Sequence, residues 1–187
     1  MKKLLFTLFV SLVALGVNAQ SYEKSVEAGG FIGIDDYSKY SIDISTVHGL
    51  KFTDNLFAGI GLGFRYTDAL YYKGNVGSVV ADSYDGKYLI PVFARLKYNL
   101  TNNSISPFLA GSIGYTIDVG QNEIKNTEGL FYEPAFGVDF NNENNTSIYV
   151  MAGFNSQSTR YEYYTLPEST TEKGFANSVS IRVGFRF

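Results

Sequence analysis

The chain has 187 residues, 15 basic against 18 acidic, and a net charge of −3, a balance that gives no reason to expect nucleic acid as a partner. Cysteine is absent, which excludes disulfides and thiolate metal sites. Tyr and Phe number 15 each and Gly 19, with no Trp, a mixture suited to tightly packed sheet.

The N-terminus reads "MKKLLFTLFVSLVALGVNAQ". Lys2 and Lys3 precede an apolar run from Leu4 to Val17, and Ala19 offers a small residue at a cleavage position. That is the layout of a secretory signal peptide. The run is shorter than the roughly 20 residues a spanning helix needs. Residues 1–19 are therefore expected to be removed, leaving 20–187 as one domain. No Cys follows the run, so a lipid-modified lipoprotein is not expected. No later segment is apolar for long enough to cross a bilayer as a helix, so a membrane protein of this composition has to be a barrel.

From residue 22 onward the dominant pattern is period two, the signature of half-covered strands. The first run, 22–34, sets Val26, Ala28, Ile32 and Ile34 against Glu23, Ser25 and Glu27. After the turn "DDYSK", the second, 40–52, sets Tyr40, Ile42, Ile44, Leu50 and Phe52 against Ser41, Asp43, Ser45 and Lys51. "TDN" is a tight turn. The third, 56–66, alternates Leu56, Ala58, Ile60, Leu62, Phe64 and Tyr66 with Gly59, Gly61, Gly63 and Arg65. A polar stretch, 67–87, is expected to be a long loop. The fourth run, 88–98, sets Tyr88, Ile90, Val92, Ala94, Leu96 and Tyr98 against Pro91, Arg95 and Lys97. The fifth, 106–119, and sixth, 129–140, continue the pattern, the sixth with Glu133 and Asp139 on its small-residue face. The seventh, 147–157, precedes a second expected long loop, 158–174. The eighth, 175–187, ends "SIRVGFRF".

Alternation alone does not say which face meets hydrocarbon. Size and charge do. One face carries Leu, Ile, Phe and Tyr; the other carries Gly, Ala, Ser and charges of both signs. An eight-stranded barrel has an interior just wide enough for side chains to fill it, so small residues and mutually pairing charges belong inside. Glu27, Asp43, Lys51, Arg65, Arg95, Lys97, Asp118, Glu133, Asp139, Arg182 and Arg186 then point inward. Phe31, Phe57, Phe93, Phe108, Tyr149 and Met151 break the rule, which requires either bulges or a partly apolar interior. Tyr66, Tyr71, Tyr72, Tyr88 and Tyr115 near one rim, and Tyr98 and Phe140 near the other, match the aromatic girdles of membrane barrels. Tyr161, Tyr163 and Tyr164 are expected to extend the first girdle, the alternative being a contact surface.

The stretches "IPVFARLKYNL", "SPFLAGSIGY", "GLFYEPAFGVDF" and above all "SIRVGFRF" resemble the small, porin-like outer-membrane β-barrel family of the OmpA/OmpX type found in Gram-negative bacteria. The resemblance covers residues 20–187. It implies an all-β, eight-stranded antiparallel up-and-down transmembrane barrel in the cell outer membrane, preceded by a cleavable signal peptide. It implies the outer-membrane bilayer and the barrel-assembly machinery as partners, with Ile181, Val183, Phe185 and Phe187 as the assembly signal. It names no partner for the extracellular loops.

Catalytic chemistry is poorly provided for. The one histidine, His48, falls on the apolar face toward the short-turn end, without a converging set of partners. Gly59, Gly61 and Gly63 are spaced G-x-G-x-G with no helix after them, so they read as packing room and not as a phosphate loop. Asp35-Asp36 lacks calcium-loop spacing. No cofactor or metal is expected. The reading is a non-enzymatic outer-membrane barrel, structural or surface-interacting, whose lumen is filled or very narrow and lined by Glu27, Asp43, Arg65, Arg95, Glu133 and Arg182. The alternative is a soluble secreted or periplasmic lipocalin-like barrel, with the apolar faces turned inward around a small apolar ligand.

Overall fold

The structure is a computed structural model that describes residues 21–35, 38–75, 78–119, 129–141, 146–165 and 168–187, with the backbone alone at 38, 69–85 and 159–173. The segment 1–19, expected as a signal peptide, and the residues Asp36 and Tyr37 lie outside the described residues.

Eight strands follow in order: β1 (Ser21–Gly33), β2 (Ser38–Lys51), β3 (Leu56–Asn75), β4 (Ser78–Asn99), β5 (Ile105–Asp118), β6 (Gly129–Asn141), β7 (Ser147–Thr165) and β8 (Glu168–Arg186). Each pairs antiparallel with the next, and β1 pairs with β8 to close the barrel. Closure satisfies every neighbouring strand inside the ring and removes the sheet edge. The closing seam is anchored at the end of the chain, where Lys24 and Phe187 exchange both backbone hydrogen bonds, 3.3 and 2.9 Å.

Register is uniform through the barrel wall up to the rim, where β2 slips against β3 between Ser38 and Ser41. The ladder is interrupted opposite Pro91 on the β3–β4 seam and opposite Pro134 on the β6–β7 seam, and resumes in the same register on both sides. A proline has no N–H to give to the ladder, so these are missing rungs and not slips. Because register holds, each strand keeps one face out and one face in from rim to rim.

The apolar stripes face out. Ile60 is 71 % exposed and Ile181 58 %, whereas Arg95 and Arg182 are 6 % and 2 % exposed. The soluble alternative, with apolar faces inward, is therefore overturned: a lipocalin-like barrel would hide the same residues that here cover the outer wall. The aromatic rings gather at the rims. Tyr66 packs on Tyr40 and Tyr88 with ring centroids 6.4 and 5.5 Å apart at one end, and Phe185 stacks on Phe187 at 5.7 Å at the other. The side chains of Tyr71, Tyr72, Tyr161, Tyr163 and Tyr164 lie outside the described residues.

Two expectations about loops are corrected. The stretch 67–87 is not a loop: β3 and β4 stay paired from Thr67↔Lys87 up to Asn75↔Ser78. Likewise β7 and β8 stay paired from Ser158↔Phe175 to Thr165↔Glu168 across 158–174. Polar, Tyr- and Thr-rich sequence on both sides hid these extensions, because a ribbon standing clear of the bilayer has no apolar face to betray its period. At about 3.3 Å per residue and a tilt of about 40°, the 19 residues of β7 rise about 45 Å, against an apolar band of about 25 Å. Two tall ribbons thus stand on one end of the barrel. The connections 52–55 and 100–104, the strand ends Asn141 and Ser147, and both ends of the described chain occupy the other.

Candidate functional site in the barrel lumen

Inward positions of β1, β2, β3, β4, β6 and β8 bring Glu27, Asp43, Arg65, Arg95, Glu133 and Arg182 into one buried cluster. Arg182 is its hub. Its Nε and Nη2 each donate to one oxygen of Glu133, both at 3.1 Å. Its Nη1 donates to Asp43 Oδ1 at 2.7 Å and lies 3.9 Å from Glu27 Oε2. Arg65 donates to the other oxygen of Asp43 at 3.2 Å and to Gln157 Oε1 at 3.3 Å. Arg95 donates to Glu27 Oε1 and to Ser112 Oγ, the latter at 2.9 Å. Three guanidiniums thus meet three carboxylates.

Neutral side chains complete the cluster. Ser180 donates to Glu133 Oε1 at 2.6 Å, and Tyr149 donates to Glu27 Oε1 and stands 3.0 Å from Ser25 Oγ. A buried charge is tolerated when it is both paired and hydrogen-bonded, and this cluster meets both conditions for each of its six ionic groups.

The aromatic exceptions in the sequence turn out to belong to the same design. Phe31, Phe93, Phe108, Tyr149 and Met151 are buried inside the barrel, and Phe57 packs against that interior. The interior is therefore partly apolar, and bulges are not needed to explain the pattern. The rings offer π-faces to the cations: Arg65 sits 4.2 Å and Arg182 4.8 Å from the Phe31 centroid, Arg95 5.0 Å from Phe93, and Lys97 4.1 Å from Phe108. Stacked guanidinium on an aromatic face is favourable where water is excluded. Phe131, Val47 and Leu89 are equally buried. They share the odd-numbered parity of the inward charges on their strands, and that parity is the sequence signal for them.

Glycine makes the room. A Cβ at Gly61 or Gly114 would run into Phe93, and one at Gly184 would overlap the Tyr149 ring. The G-x-G-x-G run thus cradles lumen side chains.

Toward the rim that holds the chain ends a second ionic group closes the bore. Lys97 donates to Asp139 Oδ2 at 2.5 Å, and Arg186 bridges Asp139 (3.8 Å), Glu23 (3.5 Å) and Asn141 (2.7 Å). Between the two groups lies a cavity of about 20 Å³ lined by Glu27, Lys97, Phe108 and Tyr149 among others, on the scale of a single water molecule. Toward the opposite rim Lys87 lies 3.8 Å from Asp118. Of the inward charges expected from sequence, Lys51 is the least enclosed, 4.0 Å from Glu23.

His48 stays outside. It is exposed on the outer wall, 2.5 Å from Tyr22 OH through Nδ1 and 2.9 Å from Thr46 Oγ1 through Nε2. Ile181, Val183, Phe185 and Phe187 also line the outer wall of β8 and its end, exposed. Among the described residues no group of three His, Asp or Glu side chains is placed to hold a metal ion.

No protein-family model matches the chain, and no curated protein matches it. Solved structures do. The chain is similar to the outer membrane protein OprG from Pseudomonas aeruginosa, with a TM-score of 0.63 at 13% identity over 92% of this chain and 98% of that one. It is similar to Neisserial surface protein A, TM-score 0.58 at 14% identity over 90% and 97%. It is also similar to the outer membrane protein AlkL in lipid bilayers, TM-score 0.56 at 10% identity over 91% and 90%. At such identities the likeness is one of fold. The fold is the eight-stranded outer-membrane β-barrel.

Proposed function

We propose that this protein is an integral outer-membrane barrel without enzymatic activity, whose role is structural and surface-presenting. The observation that carries the reading is the filled lumen. Arg182 ties Glu133 and Asp43 together across the interior, and aromatic rings pack the remaining space, so a wide solute path has no room. The long hairpins β3–β4 and β7–β8 then form the exposed surface, on the outside of the cell. The rim with the short connections faces the periplasm, as the layout of such barrels has it. The absence of enzymatic activity is supported by His48, the chain's one histidine. Both its ring nitrogens are engaged on the outer wall, away from the lumen carboxylates. Ile181, Val183, Phe185 and Phe187 are proposed as the signal for the barrel-assembly machinery.

Reconstitution into planar lipid bilayers tests the filled lumen. The purified barrel is expected to give no sustained conductance. A stable open channel of porin size overturns the reading.

A further inference from the structure

The outer wall is apolar almost everywhere, and its departures are clustered. Lys24, His48, Thr46 and Tyr22 share the outward face of β1 and β2 at the periplasmic rim. Lys24 and His48 are register partners, and Lys24 packs over the Phe187 ring at 4.5 Å. Lys24 is the cation of this outward cluster.

The same register row continues away from this cluster as His48↔Ile60, Ile60↔Ala94 and Ala94↔Ile113. The row climbs into the apolar band. Lys24 and His48 lie three residues from the strand ends Ser21 and Lys51, whereas Ile113 lies eight from Ile105. Along it runs a trough of about 670 Å³ lined by Thr46, His48, Ile60, Leu62, Val92, Ala94 and Ile113. Its floor is low because Ala94 stands between Ile60 and Ile113. A polar, cationic head end at the rim and an apolar trough leading inward match an amphiphile in size and order.

Thr46 donates its hydroxyl to Ser25 O at 3.1 Å and lies 2.9 Å from His48 Nε2, and Tyr22 OH lies 2.5 Å from Nδ1. Both ring nitrogens of His48 thus have partners on this polar wall, and Lys24 beside it supplies the positive charge.

The geometry points to a phospholipid site on the outer wall. Lys24 holds the phosphate of a glycerophospholipid of the periplasmic leaflet, and one acyl chain lies in the trough over Ala94. This rests on the proposal that the barrel is embedded in a bilayer with this rim toward the periplasm.

Native mass spectrometry of the detergent-purified barrel, titrated with dimyristoyl phosphatidylglycerol, tests it. Wild type is expected to retain one lipid at detergent levels that strip the rest. Lys24→Gln and Ala94→Leu are each expected to cut that retained fraction about tenfold, and Ala152→Leu on the far wall to leave it unchanged. Heat-modifiable migration of each variant verifies folding, so a folded barrel that retains no lipid overturns the site while leaving the membrane reading intact. Loss with Lys24→Gln but not with Ala94→Leu overturns the trough. Displacement of the lipid by inorganic phosphate at equal concentration overturns the choice of lipid over free phosphate.

Discussion

Arg182 of β8 and Glu133 of β6 meet fork to fork, two parallel hydrogen bonds of 3.1 Å, although β7 separates their strands in the wall. The pair bridges over β7, and Arg182 extends the tie to the opposite side of β8 by donating to Asp43 of β2 at 2.7 Å. Bidentate guanidinium–carboxylate pairs are strong and orientationally specific. Removing one partner of such a buried pair leaves an uncompensated charge and costs about 3–5 kcal/mol. Arg182→Met is therefore expected to lower the urea stability of the vesicle-inserted barrel by that amount. The double variant Arg182→Met/Glu133→Met is expected to recover part of the loss, since Asp43 keeps Arg65. Equal stability of the single and double variants would show that the tie is not coupled.

Depth in the membrane is the second test. Leu62 and Val92 are register partners in the middle of the band, and Tyr98 sits at the rim. An outward Arg costs about 2–4 kcal/mol at the midplane and about 0–1 near the interface. Leu62→Arg should strongly reduce the inserted fraction after refolding into vesicles, and Tyr98→Arg should scarcely change it. Equal effects would contradict the placement of the band.

Gly61 and Phe93 share one volume. Overpacking an interior costs about 1–3 kcal/mol, so Gly61→Val should destabilise the barrel by about that. In the Phe93→Ala background the same change should be much less damaging, because the ring that it strikes is gone. The double-mutant cycle, measured from urea unfolding, is expected to show a coupling well above the additivity error of about 0.5 kcal/mol.

The proposed assembly signal separates kinetics in the cell from stability in the membrane. Phe187→Ala should lower the amount of folded barrel recovered from the outer-membrane fraction several-fold. Unassisted refolding of the same variant into vesicles should remain close to wild type. A parallel loss in both assays would make Phe187 a packing residue of the β1–β8 seam and not a recognition residue.

The barrel wall was legible from residue 22 onward because bilayer and lumen impose opposite chemistries on alternate residues, and strands such as 88–98 record both. The ionic residues of the lumen were legible for the same reason. What sequence missed has two physical sources. Phe93 and Phe108 look misplaced until Gly61, Gly114 and Gly137 are seen to yield them space, a relation between strands that no single strand encodes. The stretches 67–87 and 158–174 looked like loops because strand pairing continues there without a hydrocarbon face to enforce alternation. The partners within the lumen, such as Tyr149 with Glu27, depend on which strands face each other across the bore, 122 residues apart in sequence.

The two ribbons change the topological character of the molecule as it leaves the membrane. Pairing between β4 and β5 starts at Leu89, and pairing between β8 and β1 at Ser178. Beyond those levels one more rung forms on each side, Val119 N–H to Tyr88 O and Ile34 N–H to Asn177 O, both 3.0 Å, and each ribbon continues as a pair of strands. Within hydrocarbon the sheet is a ring and offers no place for another strand to add; above it each ribbon's ladder is two strands wide, and a two-stranded ladder has edges. Main-chain pairing is then the chemistry by which a further strand would add to either ribbon.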